Sequence, residues 1–146
     1  MAAIVVETEI ERPAEAVFAY ITDPTRFPEW QKGVVDGRMD GTGPVSVGDH
    51  CLTARRIGGS NRSSTSEVIR VEAPKSWSVR GIDGPIRAAV DGTVEPRGEA
   101  RSRLTISVDF DGHGIGKVLV PLMVRREAAK EMPSNLAAAK ARLEAG

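Results

Sequence analysis

The chain has 146 residues with 20 Lys and Arg against 20 Asp and Glu, giving zero formal net charge; the length fits a single domain over 1–146, and the lack of a segregated basic run argues against a nucleic-acid partner or an anionic-membrane patch. A domain of this size buries roughly 68–70% of its unfolded surface and needs no disulfide or structural metal, in keeping with its single cysteine, Cys51. Aromatic residues make up only 4% of the chain, as three Phe, two Trp and one Tyr, so the core is either packed tightly from small branched side chains or left partly unfilled.

Ile4, Val6, Thr8 and Ile10 alternate with Val5, Glu7, Glu9 and Glu11, the period of two that marks a half-buried strand. The same glutamates break up any signal-like apolar stretch, and no window approaches the roughly 18 apolar residues of a membrane span. A cytoplasmic protein is expected. Pro13 suits a first helical turn, and Ala14, Val17, Phe18 and Ile21 recur at helical spacing to about residue 21. Asp23 and Pro24 form an N-cap followed by proline, which predicts a second short helix or turn through Trp30. Tyr20 and Trp30 are expected to pack this end, each polar tip seeking a partner.

From residue 31 to about 111 the texture becomes short β-prone runs at 33–39, 50–57, 62–71, 77–81, 86–94 and 103–110. Glycine and proline turns separate them at 41–44, 58–59, 73–74, 83–85 and 96–98, where antiparallel strands must reverse. After the glycine loop at 112–116 the chain reads as one helix. Leu122, Ala129, Leu136 and Leu143 repeat every seven residues along it, flanked by Val118, Arg126 and Met132. Pro133 predicts a kink or short break near Met132. A helix of about 25 residues would span roughly 37 Å, enough to lie across a whole curved sheet.

The run Ile10 to Phe18, the segment Phe27-Pro28-Glu29-Trp30, the strand start Val47-Gly48-Asp49, Glu72-Ala73-Pro74 ahead of Trp77, and Val94-Glu95-Pro96 together resemble the polyketide cyclase/dehydrase branch of the START-like (SRPBCC) superfamily over nearly the whole chain. The resemblance implies an α+β helix-grip fold: a bent seven-stranded antiparallel sheet around a long C-terminal helix, with two short helices after the first strand closing one end. It also implies an elongated apolar cavity whose mouth lies among the loops at 41–47, 58–61, 83–85 and 112–116 and the start of the long helix. The function it implies first is binding of a small or medium hydrophobic ligand. A polyketide cyclase/dehydratase-like enzyme is the alternative, and a protein-interaction role, as in chaperone-activator or toxin branches, is a third. Fold alone does not decide among them.

Alternation places Leu104, Ile106, Val108 and Phe110 on one face of the last strand, Ile86, Ala88, Val90, Gly92 and Val94 on one face of the strand before it, and Trp77 and Val79 inward. The run 50–57 is ambiguous, because Cys51, Thr53, Arg55 and Ile57 compete with His50, Leu52, Ala54 and Arg56, and a slip of one residue exchanges the sets. The resemblance favours Cys51, Thr53 and Arg55 inward, followed by Ser64, Ser66 and Val68. Thr53, Arg55, Ser64, Ser66, Trp77, Val79, Ala88, Val90, Ile106 and Val108, with Leu122, Arg126 and Ala129 from the helix, form the expected ligand lining, a mostly apolar wall with a few hydroxyls and a cation. Arg55, Arg126 and His113 are the candidate catalytic groups, a guanidinium being able to anchor a carboxylate, phenolate or enolate oxygen. The alternatives are a surface-paired arginine, a snorkelling Arg126 and an exposed loop histidine. Cys51 lacks a neighbouring base in sequence and reads as a core thiol. His50 and His113 have no partner at metal-ligand spacing. No metal and no cofactor are expected, and homodimerisation is left open.

Overall fold

In a computed structural model, which describes residues 3–57 and 59–146 apart from the side chains of residues 57, 119 and 122, the alternation at the amino terminus forms strand β1 (Ile4–Ile10). The predicted turn residue Gly58 and the predicted lining side chain of Leu122 therefore lie outside the described residues. Helix α1 (Ala14–Ile21) follows. A 3₁₀ helix at Pro24–Glu29 comes next, capped by Asp23, whose side chain accepts from the Thr25 backbone N–H. Six strands then run in order: β2 (Val34–Met39), β3 (His50–Ile57), β4 (Ser60–Glu72), β5 (Ser76–Gly81), β6 (Ile86–Pro96) and β7 (Ser102–Gly112). The predicted runs all form, most of them longer than periodicity alone indicated.

All seven strands make one antiparallel sheet in the order β1-β7-β6-β5-β4-β3-β2. β7 returns beside β1, so the two edges are β1 and β2. The chain ends in a one-turn helix α2 (Gly116–Leu119), a π turn at Val120–Val124 and the long helix α3 (Arg125–Ala145).

Contacts from α3 reach edge strand β1 on one side and the turn leading into edge strand β2 on the other. On the β1 side, Lys140 Nζ donates to the Glu9 carbonyl at 2.7 Å, the Glu11 N–H donates to Glu144 at 2.9 Å, and Arg12 donates to the Leu143 carbonyl at 2.8 Å. On the other side, the Lys32 N–H just ahead of β2 donates to Asn135 Oδ1 at 3.1 Å. A flat seven-stranded sheet would hold its edge strands about 28 Å apart at the usual strand spacing; contact of one helix with β1 and with the turn that leads into β2 means that the sheet curls around it. This is the expected helix-grip architecture.

The core fills one end of that grip. Ile10, Val17, Phe18, Ile21, Trp30, Trp77, Val94, Leu104, Ile106, Leu136, Ala139 and Leu143 are all buried there. Trp77 meets Phe18 edge to face at 5.8 Å and lies across β6, so close that a Cβ on Gly92 would sit 2.2 Å from its ring. Of the two polar tips at this end, the Tyr20 hydroxyl donates to Glu29 at 3.0 Å. Trp30 Nε1 is buried with no hydrogen-bond partner among the described residues.

Two features of the helix differ from expectation. α3 runs through Pro133 without a break; the proline is exposed and so is Ala129 four residues back, so the carbonyl freed by the missing N–H faces water. The irregular turn lies earlier, at Val120–Val124. The buried stripe is also not the predicted heptad, for Leu136 and Leu143 are buried whereas Ala129 is exposed, with Ala128 and Met132 turned inward instead. A seven-residue repeat drifts about 20° per heptad on a straight helix, and the inward stripe follows the 3.6-residue period.

Candidate functional site

Strand register decides which side chains face the helix. Val6, Ile106, Gly92, Trp77 and Val71 stand opposite one another across five strands, and Trp77 against Phe18 identifies this as the inner face. The next row toward the far end is Ile4, Val108, Val90, Val79 and Val68. An irregularity between Val68 and Arg70 lets Val68 and Val71 both point inward. Beyond it Ser66 pairs with Gly81 and with Cys51, Ser64 pairs with Thr53, and Ala88 pairs with Phe110.

Burial changes along these rows. Trp77 and Ile106 are buried, but Val79, Ala88, Val90, Val108, Phe110, Thr53, Ser64 and Ser66 are only half-buried. The inner face is thus sealed at the Trp77 row and only partly covered beyond it, where Val68 is still 1% exposed while Val79, Val90 and Val108 pack against the core and remain half-buried. The Trp77 ring fills the space over Gly92, and Val94 is 2% exposed. Of the inward set on β6, Ile86, Ala88 and Val90 are half-buried.

On β3 the inward set is Cys51, Thr53 and Arg55. Cys51 is buried, and loss of solvation pushes its thiol up to about 11 despite the opposing charge of Arg55. Thr53 Oγ1 and Ser64 Oγ share a hydrogen bond at 3.1 Å. Arg55 donates from Nη2 to Gln31 Oε1 at 3.0 Å. Desolvation pulls the Arg55 pKa below its ordinary value, against the charge of Glu131 on α3 and that of Cys51, which raise it. Arg55 is therefore a cation turned into the grip, held by a neutral amide rather than by a carboxylate at ion-pair distance. Its neighbour Arg56 is exposed. Gln31 and Glu131 belong to this cluster and were not anticipated, since no local pattern links a turn residue and a helix residue to a strand arginine.

The other candidate groups are elsewhere. Arg126 and Ala129 are exposed on α3. Arg125 instead pairs with Asp109 on β7, and the Phe110 backbone N–H together with that guanidinium holds the Asp109 carboxyl below its usual range. Successive helical residues are about 100° apart, so seating Arg125 there turns Arg126 away. His113 is exposed in the loop after β7, its Nε2 3.1 Å from Asp111 Oδ2. The loop is held against residues 83–85 by the His113 N–H donating to the Pro85 carbonyl at 2.8 Å. The structure thus puts Arg55, Thr53 and Ser64 on the same face of the sheet as the apolar strand residues, and leaves His113 and Arg126 exposed. Among the described residues no group of His, Cys, Asp and Glu is placed to hold a metal ion, and no helix is long and apolar enough to cross a membrane.

Comparison with known proteins agrees with this architecture. The model of the family described as polyketide cyclase / dehydrase and lipid transport matches residues 1–144. Among curated proteins none matches significantly. Several solved structures share the fold at low identity. The Zhui aromatase/cyclase from Streptomyces sp. R1128 superposes with a TM-score of 0.79 at 12% identity, over 97% of this chain and 93% of that one. A START superfamily protein from Mycobacterium smegmatis gives 0.77 at 15%, over 99% and 98%. The di-domain ARO/CYC BexL from the BE-7585A biosynthetic pathway gives 0.75 at 17%; this chain is covered to 99% but spans only 47% of that one.

Proposed function

Since the chain belongs to the polyketide cyclase / dehydrase and lipid transport family, we propose that the partly covered part of its inner face binds a small or medium hydrophobic molecule carrying at least one polar oxygen. The observation that carries this reading is Arg55: a desolvated guanidinium on the inner face of β3, with Gln31 as its hydrogen-bonding neighbour. Five N–H donors belong to a guanidinium, so donors remain for a ligand carboxylate, phenolate or carbonyl. The Val79, Val90 and Val108 row would take the apolar body, and Thr53 and Ser64 its polar end. Val79, Val90 and Val108 stand in register across three strands, giving a continuous surface of branched side chains of the kind that lines small-molecule sites.

Binding is favoured over a cyclase or dehydratase reaction, because acid-base chemistry needs its groups within hydrogen-bond reach of one reacting atom. Arg55 faces the interior, whereas His113 and Arg126 are exposed. The reading is tested by thermal shift and calorimetric titration of the full chain with 2-naphthoic acid and 2-methylnaphthalene, which share an apolar body and differ in the oxyanion. Both should raise Tm by mass action. Arg55→Ala should weaken the acid about tenfold, the worth of one charged hydrogen bond, and leave the hydrocarbon unchanged. If neither probe binds, or if Arg55→Ala weakens both equally, the reading fails.

A further inference from the structure

A second cleft, of about 580 Å³, lies at the closed end of the grip, between the outer side of α1, the 3₁₀ helix and the end of α3. It is lined by the small or apolar side chains of Ala16, Ala19 and Leu143 and by Arg12, Arg26 and Arg142, which come from the β1–α1 bend, the 3₁₀ helix and α3. Gly146 lines it as well, where a Cβ would lie 3.7 Å from Arg12 Nη1, as do two side-chain carboxylates, Asp23 and Glu29, both already engaged. Asp23 Oδ1 accepts from the Thr25 N–H at 3.0 Å and its hydroxyl at 2.6 Å. Glu29 accepts from the Tyr20 hydroxyl at 3.0 Å and from Arg26 at 2.7 Å. Arg26 is also stacked 5.5 Å from the centre of the Tyr20 ring.

The other two guanidiniums have no carboxylate within ion-pair distance among the described residues. Arg12 donates to the Leu143 carbonyl, which leaves most of its donors unused. Arg142 is exposed; its carbonyl accepts from the Gly146 N–H at 3.3 Å, and among the described residues its guanidinium has no hydrogen-bond partner. Its charge and that of Arg26, with the hydrogen bonds to Glu29, outweigh partial desolvation and hold the Glu29 carboxyl below its usual range. Arginines from different elements beside small or apolar side chains match an oxyanion on a short flat apolar body, because the guanidinium fork pairs two oxygens of a phosphate or carboxylate at once.

We propose that this cleft is a binding site for a small phosphorylated or carboxylated molecule, held by Arg12 and Arg142 over Ala16 and Ala19. It is separate from the inner-face site and does not depend on that reading. Calorimetric titration of the full chain with inorganic phosphate and with phenyl phosphate, at constant ionic strength, tests it. Phenyl phosphate should bind saturably and more tightly than phosphate, since only it uses the alanine side chains.

Arg142→Gln touches no hydrogen bond of the fold; it should keep the wild-type melting curve and weaken both anions about tenfold. Ala19→Leu, at an exposed lining position, should weaken phenyl phosphate while sparing inorganic phosphate. No saturable binding of either anion would overturn the proposal, as would affinity that Arg142→Gln leaves unchanged. Equal response of both anions to Ala19→Leu would overturn the role given to the alanines.

Discussion

Gly92 has no side chain in a place where Trp77 leaves room for none. A Cβ there would lie 2.2 Å from the indole ring, and the ring cannot retreat freely because Phe18 stands edge-on to it at 5.8 Å. Gly92→Ala is therefore expected to destabilise the fold by about 1–3 kcal/mol, the range for overpacking a filled core, and to change the tryptophan emission; urea unfolding followed by fluorescence measures both. An unchanged midpoint would mean that Trp77 has spare room. Sequence alternation put Gly92 and Trp77 on the inner face correctly, but alternation orders side chains along one strand and says nothing of a large ring laid across its neighbour. Arg55 shows the same limit from the other side. Both registers of 50–57 mix apolar and polar residues, so the pattern could not choose between them, and Gln31 and Glu131 reach Arg55 only through the closed topology.

The end of α3 is fixed to β1 by a small polar latch. Lys140 donates to both the Glu9 carbonyl and Glu144 at 2.7 Å, and Glu144 also accepts from the Glu11 N–H. Lys140, then the Glu11 N–H, hold the Glu144 carboxyl below its ordinary 4.5. A depressed carboxylate is harder to protonate in the folded chain than in the unfolded one. Its contribution is complete above pH 4.5 and is lost as the pH falls through the lower folded value. Glu144→Gln should therefore lower Tm at neutral pH, with the gap from wild type closing on acidification below pH 4.5; a gap constant with pH would remove Glu144 from the latch. At this scale the strands were the legible part, because two-residue alternation and turn residues are local signals. Helix phase was not. The heptad drifts off the 3.6-residue stripe, and the π turn at Val120–Val124 has no sequence mark comparable to Pro133, which the helix carries on its wet side.

Over the whole molecule, the shortage of aromatic residues becomes a matter of placement. Five of the six, Phe18, Tyr20, Phe27, Trp30 and Trp77, belong to or pack against the core cluster at the closed end, and Phe110 alone stands on the half-buried stretch beyond. Large rings seal one half of the grip, and small branched side chains line the other. The two halves should respond oppositely to the same added volume. Val94 is 2% exposed within the sealed half, so Val94→Phe has no space to enter and should cost about 1–3 kcal/mol. Val90, four residues earlier on the same face of β6, packs against the core but is only half-buried; Val90→Phe should change stability by less than about 1 kcal/mol, because the added ring can turn to the side on which Val90 still meets solvent. The same ring would occupy the wall proposed for the ligand, so Val90→Phe should also abolish the thermal shift given by 2-methylnaphthalene, which Val94→Phe should leave in place at temperatures where it is folded. Paired urea melts and hydrocarbon titrations of the two variants read both effects. Equal stability losses would mean that the grip is filled along its whole length, and with it the binding face would be gone; unequal losses with ligand binding lost only in Val90→Phe tie the partly covered half of the sheet to recognition inside the fold.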